Sequence, residues 1–270
     1  VINQAGCSGG ERVSPGAGGC STISIRNVSK RFGRQVVLRD VSLEIGVGET
    51  IAIVGPSGVG KSVLLKLITG IMSPESGSIY INGKNITAAT SEEERNDIRA
   101  HVGVLFQSAA LLDSLTIYEN VAFPLLERLR LSPGAAHQRV VAMLQSLSLE
   151  SVAELLPQQV PIGVRKRAGL ARALITEPDV ILFDEPNTGL DPLVGQEVYD
   201  LIKSCHERFK FAGVVISHEI PEVFQVVDRV AMLLGGRFIA VGTPEELQAS
   251  QDLAVQQFLQ GRTEGPISIQ

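Results

Sequence analysis

The sequence runs to 270 residues with a formal net charge of −5, 44% hydrophobic and 20% charged residues. That acidic balance argues against a general electrostatic grip on nucleic acid or anionic lipid, so any basic function must be local. No apolar run approaches the roughly 18 residues of a membrane span, because Asp113 interrupts the apolar stretch 102–126 and Gly235 closes the one that starts at Arg229.

Residues 1–20 are rich in Gly, carry no periodic pattern and lack the apolar core of a signal peptide, so 1–21 is expected to be a disordered tail. The cysteines Cys7, Cys20 and Cys205 are too scattered for a disulfide framework or a metal site, which favours a reducing compartment. From residue 22, "TISIRNVSKRF" and "QVVLRDVSLEI" alternate apolar and polar positions as half-buried antiparallel strands do, whereas "TIAIVG" at 50–55 reads as a buried strand. Residues 60–70, "GKSVLLKLITG", predict a helix ending at Gly70, and "GSIYING" a strand followed by a turn at Asn82-Gly83. A mostly helical section follows at 91–173, interrupted by the strand-like "HVGVLF" at 101–106. Finally "VILF" (180–183), "GVVIS" (213–217) and "RVAML" (229–233) alternate with helical stretches, which predicts an α/β fold with a mainly parallel core sheet flanked by helices. The expected boundaries are a domain at 22–250 with an antiparallel β subdomain and a helical subdomain at 91–173, then a C-terminal extension at 251–270. No repeat with a solenoid period is visible.

Chemistry enters between the buried strand and its helix. "GPSGVGKS" (Gly55, Pro56, Ser57, Gly58, Val59, Gly60, Lys61, Ser62) has every fixed position of a P-loop. Its glycines let backbone amides turn toward a phosphate, Lys61 adds a mobile charge, and Ser62 offers a hydroxyl to Mg²⁺. "VILFDEP" then delivers two acids to the C-terminal edge of a parallel sheet, where ligands of such folds bind. Successive side chains there point different ways, so Asp184 suits a Mg²⁺ shell and Glu185 suits deprotonating the water that attacks a γ-phosphate.

With those motifs in place the chain resembles the nucleotide-binding subunits of ABC transporters from about residue 22 onward. The family's motifs occur in order: Phe32 where an aromatic stacks on adenine, the P-loop, Gln107 after "VGVLF", "VILFDEP", "GLD" at 189–191 and His218 in "VVISHE". Taken singly, Phe32 is more often a core aromatic, Gln107 a loop amide and His218 a structural histidine; their place in the series reverses those odds. The resemblance implies ATP and Mg²⁺ as cofactors, with Glu185, His218 and Gln107 catalytic and Ser62, Gln107 and Asp184 around the metal. It also implies a second ATPase subunit in a head-to-tail dimer, Gly163 and Asp191 at nucleotide, and an integral-membrane permease. The expected location is peripheral, at the cytoplasmic face of the inner membrane.

One motif departs from the family. "VPIGVRKRAGLARAL" at 160–174 stands where the signature "LSGGQ" and its helix belong, and a helix N-terminus there suits the γ-phosphate held by the partner. In register, Val160, Pro161, Ile162, Gly163 and Val164 replace Leu, Ser, Gly, Gly and Gln. Pro161 removes a hydroxyl and an amide donor, and Ile162 puts a branched side chain where backbone should approach phosphate. Losing one hydrogen bond to a charged phosphate costs about 1.5–3 kcal/mol. The basic residues of this stretch are expected near the partner's ATP, with some, including Arg172, in structural pairs.

The segment "LFQSAALLDSLTIYENVAFPL" at 105–125 and the tail "VQQFLQGRTEGPI" at 255–267 further resemble Mla-type transporters. Those move phospholipids across the Gram-negative envelope with a permease, an MCE lipid-binding protein and a STAS-domain protein. Leu111 and Leu112 fall where the family docks its permease. ABC proteins of DNA repair carry a long coiled-coil insertion and those of translation two cassettes, features this sequence lacks. Two alternatives stay open: a nucleotide-binding subunit whose degenerate signature makes hydrolysis weak, and a transporter of another small molecule.

Overall fold

A computed structural model describes residues 21–267; residues 1–20 of the expected tail, with Cys7 and Cys20, lie outside the described residues, and Ser21 already belongs to the first strand. Strands β1 (Ser21–Phe32) and β2 (Gln35–Gly46) pair antiparallel, with Ile23 opposite Ile45 and Ile25 opposite Leu43. Their apolar alternation turns one face inward and leaves the other to solvent. The buried strand β3 (Thr50–Val54) leads through the P-loop into helix α1 (Lys61–Ile68). β4 (Ser76–Ile81) and the two-residue β5 (Lys84–Asn85) follow, joined by Asn82 and Gly83, both with positive φ as a tight hairpin turn requires. These strands form a four-stranded antiparallel sheet in the order β2-β1-β4-β5.

Helix α2 (Glu92–Arg99), capped by Ser91, precedes β6 (Val102–Leu105). Helix α3 (Ile117–Phe123) starts at a capping box made by Thr116 and Glu119 and runs into a π-helical turn at Pro124–Arg128. Helices α4 (Pro133–Ser146) and α5 (Ile162–Leu174) complete this section. Then come β7 (Val180–Asp184), α6 (Pro192–Phe209), β8 (Ala212–Ile216), β9 (Arg229–Leu234), β10 (Arg237–Gly242), α7 (Pro244–Gln248) and α8 (Leu253–Leu259).

The core sheet has the order β10-β9-β3-β8-β7-β6, parallel from β9 to β6. β6 therefore belongs to this sheet, although its sequence lies among the helices. β10 is antiparallel to β9 and escapes the sequence reading above, yet Gly235-Gly236 between two apolar-rich stretches is a hairpin signal. Alternate residues of the central strands serve two cores. Ala52, Val54, Ile181, Phe183 and Val215 face the side covered by α3–α6, while Ile51, Ile53, Val180, Leu182, Val214 and Ile216 face α1 and the antiparallel sheet. Burial on both faces explains why these strands read as continuous apolar runs. It also leaves their C-terminal ends as the edge where polar side chains gather.

Candidate active site

The loop after β3 is shaped by glycine. At Gly55 (φ +147°) a Cβ would lie 2.3 Å from the Leu233 carbonyl oxygen, and at Gly60 (φ +111°) it would lie 2.9 Å from Val37, so neither position accepts a side chain. α1 starts directly after Gly60 with no side chain capping its first amides. The Lys61 ammonium is buried and crosses the loop, donating to the carbonyls of Gly55 (2.7 Å) and Pro56 (3.0 Å). Burial lowers its pKa, opposed by the charges of Glu185 and then Asp184, which places the two acids of β7 in its field. Ser57, Gly58 and Ser62 stay exposed at the mouth. Uncapped amides around an ammonium complement a phosphate.

Asp184 closes β7. Burial is the main cause that raises its carboxyl pKa, the neighbouring Glu185 charge adds to it, and Lys66, Lys166 and Lys61 pull against both. Glu185 sits in the left-handed region (φ +48°), a strain of about 1–3 kcal/mol for a non-glycine residue. Its amide donates to the Ile216 carbonyl at 2.9 Å, and the β7–β8 register puts Asp184 opposite Ile216, so Glu185 lies beside the loop bearing His218. The Thr188 hydroxyl donates to Glu185 Oε2 at 3.1 Å, and His218 Nδ1 is 3.3 Å from Oε1. A carboxylate held between a hydroxyl and an imidazole is oriented to accept a proton from water. Phe32, at the end of β1, is 47% exposed with the Lys30 ammonium 5.5 Å from its ring centre, and is no core aromatic. Gln107 is exposed in the loop after β6.

Gly163 and Asp191 lie elsewhere. Together with Pro161, Ile162, Gly189 and Val194 they line a cleft of about 310 Å³ to which no P-loop residue contributes. Asp191 caps α6, accepting from the amides of Leu193 (3.1 Å) and Val194 (3.2 Å). A Cβ on Gly163 would lie 2.9 Å from Val194 Cγ1, so this glycine has a packing role of its own. α5 begins at Pro161 without a side-chain cap, and the Ile162 side chain is exposed.

Two cations of α5 have structural roles, as expected for Arg172, whereas Lys166 departs from the expected place near the partner's ATP. Arg172 donates to the carbonyls of Ala110 (2.8 Å) and Ala109 (2.9 Å), and Lys166 to the carbonyl of Gln107. Burial lowers the pKa of both, that of Lys166 to about 8. Two of the positive charges thus point inward at backbone oxygens. The sequence reading did not single out Lys166. The available signal is the run of small residues after it: a Cβ on Gly169 would touch Leu105 and Ala109, so α5 approaches that loop closely.

A second surface lies beside this loop. Phe106, Leu112, Phe123, Pro124 and Arg128 line a groove of about 320 Å³ against Arg172. Asn120, fully buried, holds its rim by accepting from the Leu112 amide and donating to the carbonyls of Leu112, Leu115 and Thr116. Leu112 is exposed as expected, but Leu111 packs against the core and so presents little to a partner.

The model of the family described as "ABC transporter" matches residues 38–188. The chain belongs to the ABC transporter family. The ATP-binding protein MlaF of the intermembrane phospholipid transport system of Haemophilus influenzae is 39% identical over 91% of this chain and 92% of its own length. A probable ribonucleotide transport ATP-binding protein of Mycobacterium leprae is 38% identical over 92% of this chain and 71% of its own length. Among solved structures, a dimeric ATP-binding cassette in a post-hydrolysis state with ADP and Pi superposes with a TM-score of 0.74 at 30% identity, covering 82% of this chain and 98% of that one. This ABC ATPase therefore binds and hydrolyses ATP, and as such a cassette it dimerises and works with a membrane permease. No helix among the described residues is long and apolar enough to cross a membrane.

Proposed function

We propose that this ABC ATPase powers phospholipid transport across the Gram-negative envelope, working peripherally at the cytoplasmic face of the inner membrane. The observation that carries the hydrolytic half is Glu185, whose carboxylate lies between Thr188 and His218 and within the field of Lys61. Phe32 stacks on adenine. The amides of 55–62 and Lys61 hold the β- and γ-phosphates, as an uncapped helix start and a buried ammonium suit. Glu185 takes the proton of the attacking water, and His218 and Gln107 orient water and γ-phosphate.

Ser62, Gln107 and Asp184 would hold Mg²⁺. Among the described residues there is no cluster of three or more His, Cys, Asp or Glu fit to hold a metal. One carboxylate, one hydroxyl and one amide suit an ion that completes its shell with phosphate oxygens and water. When bound, Mg²⁺ neutralises charge developing on the phosphate oxygens. Gly163 and Asp191, set apart from the P-loop, act on the nucleotide of the partner in a head-to-tail dimer.

Similarity to the Haemophilus protein over nearly the whole of both chains supports the phospholipid cargo, and with it an MCE protein and a STAS-domain protein as partners beside the permease. The apolar groove at Phe106, Leu112 and Phe123 is of a kind that seats a short helix of the permease. The mycobacterial relative, named for probable ribonucleotide transport, supplies the competing cargo for a test, at nearly the same identity but over less of its own length. The deciding experiment reconstitutes the ATPase with its co-purified permease in phospholipid vesicles. ATP-dependent movement of labelled phospholipid is expected; ATP turnover that responds to ribonucleotide and moves no phospholipid would refute the cargo.

A further inference from the structure

We infer that Lys166 is a positioning residue that ties the first turns of α5 both to the Gln107 loop and to Glu185. It rests on the proposed reading of Gln107 and Glu185 as site residues. The side chain is 1% exposed, less than any other charged residue described. Burying an ammonium is costly unless it is bonded and compensated. Here it donates to the Gln107 carbonyl and lies 3.5 Å from the Glu185 carbonyl, with Asp184, Glu185 and Glu219 supplying negative charge.

Both segments it reaches are strained. Glu185 has a positive φ, and in the other loop so do Ala109 (φ +62°) and Ala110 (φ +46°), conformations that alanine adopts at a cost and that surrounding bonds must maintain. Arg172, farther along the same helix, holds the carbonyls of those two alanines. α5 thus fixes the glutamine loop at two places, and at one of them the same ammonium also reaches the backbone of the catalytic carboxylate. Lys166 lies barely more than one turn from Pro161–Val164, the end of α5 that faces the partner cassette in the proposed dimer. A displacement of that end moves Gln107 and Glu185 together, through one charged contact.

The test uses the full chain and two variants. Lys166→Met keeps the apolar stem and removes the ammonium, while Lys166→Arg keeps the charge. Hydrogen exchange without nucleotide is expected to show the Ala109 and Thr188 amides exchanging about tenfold faster in Lys166→Met, the scale of one charge-assisted bond. Amides of 55–62 and of the C-terminal half of α5 should keep parental rates, and Lys166→Arg should restore most of the protection. Turnover of Lys166→Met should fall about tenfold while Mg-ATP affinity by calorimetry stays within about twofold, as for a group acting on the transition state alone. Parental exchange at both amides, or acceleration spread evenly through the P-loop and α5, would overturn the inference. A parental chain that fails to bind Mg-ATP would instead overturn the reading of the site, and the exchange pattern would still decide whether Lys166 ties the two segments.

Discussion

Two helix N-termini are proposed to meet nucleotide, and they are equipped very differently. α1 opens after Gly60 with no side-chain cap, a buried lysine across its mouth and two acids within its field. α5 also opens without a side-chain cap, and its first helical bond is intact, from the Arg165 amide to the Pro161 carbonyl at 3.0 Å. Yet its mouth offers a residue without an amide proton and an exposed isoleucine. The backbone of a helix start survives substitutions that take away donors and close approach for an anion. Folding needs only the hydrogen-bond ladder and the apolar face, whereas phosphate needs free donors and close approach. In a head-to-tail homodimer every composite site would therefore pair the well-equipped half of one chain with the poorly equipped half of the other.

The largest effect is expected where the equipment is complete. Glu185→Gln preserves shape and removes the base, so turnover should fall by roughly 10²–10⁴-fold with ATP affinity retained. Single-turnover kinetics beside calorimetry measures both, and parental turnover would remove Glu185 from its role. Next in size is Lys61→Ala, which takes an ammonium from the phosphates and leaves the Gly55 and Pro56 carbonyls without their donor. A loss of about tenfold to a hundredfold in Mg-ATP affinity is expected, the range of one charged hydrogen bond. Unchanged affinity would mean that the loop amides alone hold the nucleotide.

A smaller gain is expected where the equipment is poor. Pro161→Ser with Ile162→Gly restores a hydroxyl, an amide and a close backbone approach at the mouth of α5. Turnover of the homodimer should rise about tenfold, the equivalent of one contact near 1.4 kcal/mol. Nucleotide affinity of the monomer should not move, because these residues line a cleft to which the P-loop contributes nothing. A homodimer that already turns over briskly and gains nothing would show that the amides of α5 suffice without them.

The contrast between the two helix starts also marks what the sequence could disclose. Buried parallel strands announced themselves as apolar runs, and the P-loop announced itself because its glycines, lysine and serine have fixed spacing within one short segment. Lys166 has no such spacing. Its partners, the carbonyls of Gln107 and Glu185, are backbone atoms that any residue would present, brought to it only by the packing of α5 on β6 and the loops that follow β6 and β7. The contact of His218 with Glu185 depends likewise on the β7–β8 register, which joins segments some 30 positions apart, whereas that of Thr188 is local to the loop. β10 was legible in principle from Gly235-Gly236, but its alternation is weak because its inward side is only half buried.

The smallest expected effect concerns Gly163, the one signature position that keeps its family residue, and it separates two reasons for that glycine. If packing requires it, Gly163→Ala drives a methyl against Val194, a β-branched side chain with little freedom to turn away. Overpacking of this kind costs about 1–3 kcal/mol, against a helix-propensity gain of up to about 1 kcal/mol. A net loss near 1 kcal/mol corresponds to a fall of about 2–4 °C in Tm for a domain of this size. Trimming the obstacle should reverse the sign: in a Val194→Ala background the same Gly163→Ala change is expected to be neutral or slightly stabilising, a coupling that a double-mutant cycle reads directly. Turnover of the double variant then tells whether nucleotide also needs this glycine. Restored stability with turnover still depressed would assign Gly163 to close approach by the partner's phosphate. Restored stability with parental turnover would leave packing against α6 as its whole role, and the α5 mouth would then owe its remaining activity to backbone amides alone.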